Sequence, residues 1–98
     1  MNSVNIVGKL IDDPIKSTSS NGLSIMRFKL AVDKTNKTDN TAYDVFEVTV
    51  FRELADLKLD IGQIVGVTGK LVSNNYEKEG KNYYNCSIVG NYLSVLGC

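Results

Sequence analysis

Hydrophobic and polar residues alternate without a break from Met26 to Val32. Met26, Phe28, Leu30 and Val32 fall on one parity, and Arg27, Lys29 and Ala31 on the other. Successive side chains of a strand face opposite sides, so a period of two predicts a half-buried strand. Its outer parity carries two cations beside a small residue. That combination suits a strand with a core behind it and an approachable, anion-friendly floor in front.

The same pattern recurs along the chain. Val4 to Leu10 alternates around Ile6, Gly8 and Leu10 and predicts the first strand. Asp12-Asp13-Pro14 is turn chemistry, after which Ile15 to Thr18 continues that strand past a bend. Ser19-Ser20-Asn21-Gly22 signals a hairpin turn into the second strand. Lys34 to Ala42 is polar and reads as a loop. Tyr43 to Arg52 predicts a third strand, with Phe46, Val48 and Val50 inward and Val45, Glu47, Thr49 and Phe51 outward. Glu53 to Leu59 has near-helical spacing at Leu54, Ala55 and Leu57 and suits one or two turns of helix, ended by Asp60-Ile61-Gly62. Ile64 to Ser73 predicts a fourth strand with Val65, Val67, Gly69 and Leu71 inward. Asn74 to Asn82 reads as a polar hairpin tip, Tyr83 to Val89 as the fifth strand, and Tyr92, Leu93, Val95 and Leu96 as a short closing segment.

Glycines at 8, 66 and 69 lie inside these strands, where they permit bulges and sharp coiling. Five short, bent strands with a plug helix between the third and fourth predict an all-β fold. The leading candidate is a five-stranded OB-fold barrel. An SH3-like barrel is the rival, and the position of the helix argues against it.

With 98 residues the chain suits one domain, residues 1–98, with one modest core. No apolar run is long enough for a membrane span and no signal-peptide pattern opens the chain, so the expected location is cytoplasmic. The chain has no histidine, which removes the commonest general base and zinc ligand. Of its two cysteines, Cys86 lies in an alternating run and is expected in the core. Cys98 is a terminal thiol. No metal site and no cofactor are expected.

Catalysis finds little support. No partner is visible to activate a serine. Asp12-Asp13 reads as a solvated turn rather than a carboxylate dyad. Gly66-Val67-Thr68-Gly69-Lys70-Leu71 lacks the spacing of a phosphate loop and alternates as a strand. The functional signal is instead a set of cations and aromatics. Arg27, Lys29, Lys70 and Phe51 share outward parity on their strands, and Tyr76 opens the long hairpin tip. Aromatic faces stack unpaired bases and cations track the backbone. Against this, exposed Lys and Arg on strands are usually solvated, Phe51 can pack on the helix, and Glu47 opposes phosphate. Tyr83 and Tyr84 have opposite parity, so one faces a ligand and the other is expected in the core. The 11 basic and 11 acidic residues cancel, so any anion binding depends on local arrangement.

The opening Met1-Asn2-Ser3-Val4-Asn5-Ile6-Val7-Gly8-Lys9-Leu10 followed by Asp12-Asp13-Pro14 resembles that of bacterial and phage single-stranded DNA-binding proteins. Met26 to Val32, Asp44 to Phe51 with Leu54-Ala55, and Ile64 to Leu71 resemble that family's next three strands in order. The resemblance implies an OB-fold that assembles as a homotetramer, with a dimer as the lesser assembly. Such a protein binds single-stranded DNA without sequence preference in replication, recombination or repair. It places the family's stacking aromatics on Phe51 and Tyr76 and its basic positions on Arg27 and Lys34. It also puts Ser3, Val4, Asn5, Ile6 and Val7 at a subunit interface. Val45 stands where the family often has an aromatic. The sequence stops at Cys98, without the Gly- and Pro-rich acidic tail by which bacterial members recruit partners. The expectation is therefore a tail-less or truncated member, acting in a bacterial nucleoid or phage-infected cell, with tail-mediated protein partners not carried over. The alternative is an OB-fold protein-interaction module, a replication or conjugation adaptor with weak DNA affinity.

Overall fold

β1 (Val4–Leu10), β3 (Ser24–Asp33), β4 (Tyr43–Phe51), β5 (Ile64–Lys78) and β6 (Lys81–Gly97) form one sheet in the order β1-β5-β6-β4-β3. A pairing of β1 with β3 closes it. The computed structural model describes residues 1–33 and 43–97. A short strand, β2 (Ile15–Thr18), pairs with β3, and a 3-10 turn (Arg52–Asp56) lies between β4 and β5. This closed five-stranded order, with a single turn of helix between the third and fourth barrel strands, is the OB-fold arrangement.

Closure happens where β1 changes partners. Val4 to Lys9 pairs antiparallel with Gly69 to Ile64, and then Lys9 and Leu10 pair with Ala31 and Leu30. A Cβ on Gly8 would sit 2.7 Å from the Ala31 carbonyl oxygen, so only a glycine lets the two backbones approach there. Past Leu10 the chain bends through Asp12-Asp13-Pro14 and β2 takes up the same edge of β3, with Ile15 opposite Arg27. The expected continuation of the first strand past a bend is what forms. The turn into β3 is held by Ser19, whose hydroxyl accepts from the Leu23 N–H at 3.1 Å, with Gly22 at φ 84.

The inner parities meet in one core of Leu10, Met26, Phe28, Leu30, Val48, Val50, Val65, Val67, Ile88 and Leu93, plugged by Ala55 and Leu59. Burial of these side chains is the main force closing the barrel. The expected helix over Glu53–Leu59 is replaced by the shorter 3-10 turn, which still delivers Ala55 to the core.

β5 and β6 are much longer than the sequence predicts. Their ladder runs unbroken from Val72–Ser87 to Lys78–Lys81, so most of the presumed tip is strand. The connection is only Glu79-Gly80, both at positive φ (54 and 78), the geometry of a type I′ hairpin turn. The closing segment is the end of β6 itself, offset by bulges at Asn91 and Leu96. β1 accompanies β5 only as far as Gly69, and β4 touches β6 only at Ile88 and Val89. Beyond those levels the hairpin is a two-stranded arm with solvent on both faces.

Four expectations are corrected, three of them by that arm. Cys86, opposite Ser73 on the arm, is exposed rather than core. Leu71, expected inward, is 49% exposed because it sits where the arm leaves the barrel. Phe46 has the inner parity but lies at the uncovered end of β4 and is exposed. Neither Tyr83 nor Tyr84 is buried, since neither face of the arm has a core to enter.

Candidate nucleic-acid interface

One row of outward side chains crosses the sheet. Register places Lys70 on β5 opposite Val89 on β6, Val89 beside Thr49 on β4, and Thr49 opposite Arg27 on β3. Strand pairing thereby brings Arg27 and Lys70, 43 residues apart in sequence, onto a shared line of the outer face. Both are exposed.

The aromatics lie on either side of this row. Phe51 is two residues beyond Thr49 on β4. Tyr76 is six residues beyond Lys70 in the opposite direction, up the arm. At about 3.4 Å per residue the two aromatics are separated by about 27 Å along the strand direction. Phe51 is half-buried and lines an open cleft with Leu23, Arg52, Leu54, Val89, Gly90 and Asn91. The ring shares this cleft with Leu54 of the 3-10 turn and still faces open space.

Tyr76 stands directly opposite Tyr83, and the two rings stack with centroids 5.1 Å apart and planes 14° from parallel. They remain 49% and 40% exposed. An offset pair of this kind holds each ring in place before any ligand arrives. Parity alone leaves open which of Tyr83 and Tyr84 faces a ligand. The deciding signal is the hairpin register, since only Tyr83 shares the parity of Tyr76 across the turn. Tyr84 projects from the other face at 69% exposure.

Lys29 is exposed directly opposite Glu47, and both line a shallow groove with Arg27, Asp12, Asp13, Ile15 and Phe28. Two cations therefore share that groove with three carboxylates. The floor of β3 and β4 is locally balanced rather than cationic, as the neutral composition leads one to expect. Val45 is 48% exposed opposite Ala31, a site with an apolar but not an aromatic surface. Lys34 lies outside the described residues.

β1 presents one edge to β5 and engages β3 only at Lys9 and Leu10, so among the described residues its other edge is unpaired from Val4 to Gly8. Asn2 extends the paired edge: its amide donates to the Leu71 carbonyl at 2.8 Å and accepts from the Leu71 N–H at 2.9 Å. Val4 and Ile6 lean on the core, while Ser3, Asn5 and Val7 face out. Val7 and Leu96, 53% and 58% exposed, flank Gly66 on the outer surface.

Residues 1–96 match the model of the single-strand binding protein family. The chain belongs to that family. It is 37% identical over 102 residues to single-stranded DNA-binding protein 1 of Staphylococcus aureus strain COL, an alignment covering 98% of this chain and 61% of the relative. A second Staphylococcus aureus protein, from strain MRSA252 and also named single-stranded DNA-binding protein, is 32% identical across 98% of this chain and 65% of its own. The chain thus spans about three fifths of the length of these relatives. Among solved structures, the wild-type single-stranded DNA binding protein from Thermus aquaticus superposes with a TM-score of 0.77 at 24% identity, covering 98% of this chain and 50% of that one. A deletion variant of the same protein gives 0.79 at 21% identity. At such identities the superposition speaks to the fold, and it is the same closed sheet. In the described residues no helix is long and apolar enough to cross a membrane.

Proposed function

We propose that this chain binds single-stranded DNA without sequence preference, as a non-enzymatic protecting factor in replication, recombination or repair. The observation that carries the reading is the outer strip on which Arg27 and Lys70 lie between Phe51 at one end and the Tyr76–Tyr83 stack at the other. Aromatic rings accept any base, because every base has a π-face, and the cations meet the backbone common to all sequences. Lys29 and Lys34 complete the cationic set, and no cofactor is needed. Membership of the single-strand binding protein family supports the same reading, and the proposed site of action is cytoplasmic.

Anisotropy of a labelled oligothymidine, titrated at a series of salt concentrations beside a duplex control, tests this. The expected result is tight binding to the single strand alone. Log affinity should fall linearly with log salt, by about 0.7 for each phosphate neutralised. Absence of single-strand binding at low salt would remove the reading. It would favour instead the protein-interaction module, to which the zero net charge and the carboxylates around Arg27 and Lys29 lend support. A stoichiometric protein partner recovered without bound oligonucleotide is that module's signature.

The working unit in this proposal is a homo-oligomer, a tetramer in preference to a dimer. The unpaired edge of β1 over Val4–Gly8 is a template for strand addition, and the exposed Val7 and Leu96 beside Gly66 give an adjoining apolar surface. Sedimentation equilibrium of the DNA-free protein should return four times the 10.8 kDa chain mass. A monomer at micromolar concentration would refute the assembly.

A further inference from the structure

Phe51 ends β4 in an extended conformation, with φ −128 and ψ 159, and the next residue, Arg52, turns into the left-handed region at φ 61. Among the described non-glycine residues only Arg52 and Glu79 have positive φ. Glu79 is accounted for by its two-residue hairpin turn, which requires that sign at both positions. Arg52 has no such reason. A glycine would take this conformation with less strain, whereas an arginine carries the cost of a Cβ pressed toward its own carbonyl. Strained residues of this kind cluster at ligand-binding sites, where the surroundings hold them in place.

A second observation gives the strain a use. Arg52 is exposed, and it lines the same cleft as Phe51, together with Leu23, Val89 and Asn91. Successive residues of a strand face opposite sides, so an ordinary extended residue 52 would point away from the Phe51 ring. With the left-handed turn, residue 52 instead lies on the lining of the ring's own cleft. The arrangement puts an exposed arginine on the lining of an aromatic-walled cleft. That is the pairing a nucleotide requires, with a base on the ring and its phosphodiester one sugar away.

We propose that Arg52 is a DNA-contacting residue that clamps the phosphodiester flanking the base stacked on Phe51. The inference rests on the reading of this chain as a single-stranded DNA binder. It adds a cation that the alternation along β4 could not reveal, since arginine gives no sequence sign of a left-handed turn.

The test is Arg52→Gly beside Arg52→Lys, each followed by thermal unfolding and by the oligothymidine titration at several salt concentrations. Arg52→Gly relieves the backbone and removes the charge, so stability and binding should move in opposite directions. The expected result is an unfolding temperature equal to or above the parent's. Affinity at moderate salt should be about tenfold weaker, and the salt slope shallower by about 0.7. Arg52→Lys should keep the parent slope. An Arg52→Gly protein with parent affinity and slope overturns the proposal. So does one that loses stability and affinity together with its slope intact, since that marks a structural residue. If the parent protein fails to bind the oligonucleotide at all, the functional reading falls and the clamp falls with it. A binding parent with an indifferent Arg52→Gly variant removes the clamp alone.

Discussion

Alanine at Tyr76 should weaken oligothymidine binding by about 5- to 150-fold, and alanine at Phe51 by a similar factor, with the fold of both variants intact. Stacking of one base on one aromatic ring contributes about 1–3 kcal/mol, which sets the range. Tyr76 is the cleaner of the two. It stands on the arm, half-exposed, outside the hydrophobic core, so its removal leaves the barrel packing untouched. Phe51 shares its cleft with Leu54, which leans on the core, and its alanine variant needs an unfolding curve alongside the titration. The stack with Tyr83 sharpens the expectation for Tyr76. If the two rings act as one platform, Tyr83→Ala alone should also weaken binding, and the double variant should lose little more than Tyr76→Ala. Neighbouring groups that work as a unit give such non-additive cycles. Parent-like affinity in folded Phe51→Ala and Tyr76→Ala proteins would dismiss the aromatic strip as the binding surface.

How far these residues were legible depends on what each signal encodes. Alternation from Met26 to Val32 reports which parity meets a core, and Met26, Phe28 and Leu30 are buried accordingly. Arg27 and Lys29 are exposed as expected. Alternation does not report where the core stops. Leu71 and Cys86 have the parity of Val67 and Ile88, yet Leu71 stands past the last β5 residue paired with β1 and Cys86 short of the first β6 residue paired with β4, and solvent takes the place of a facing layer. Asn74 to Asn82 reads as a hairpin tip rather than as strand for a related reason. A strand with water on both faces has no apolar parity to display, so its period is invisible even though its ladder is regular. The stack of Tyr76 on Tyr83 became visible only with the register fixed by Glu79-Gly80. Arg52 was hidden because its role depends on a backbone angle that its residue type does not advertise.

The order of the chain around Gly69 explains why the arm and the barrel stand or fall together. Gly69 is the last β5 residue paired with β1, through Val4, and the β6 strand bulges at Asn91 just beside it. One residue later comes Lys70, and one further Leu71, which Asn2 braces through both main-chain groups. A Cβ on Gly69 would collide with the Val89 carbonyl oxygen and lie 2.9 Å from the Gly90 Cα. Those are backbone atoms of a paired strand, so relief requires β5 and β6 to part. Gly69→Ala should therefore lower unfolding stability by about 3 kcal/mol, at the upper end of what overpacking costs. The same substitution at Gly66 is the matched comparison. There the nearest atoms to a new Cβ lie at 3.7 Å, ordinary contact, so the change should stay below about 1 kcal/mol. Urea unfolding of the two variants decides the matter. Equal midpoints would mean that the strands at Gly69 are further apart than this sheet places them. A selective loss at Gly69 should also carry away DNA affinity, because Lys70 and Tyr76 both take their positions from that crossing.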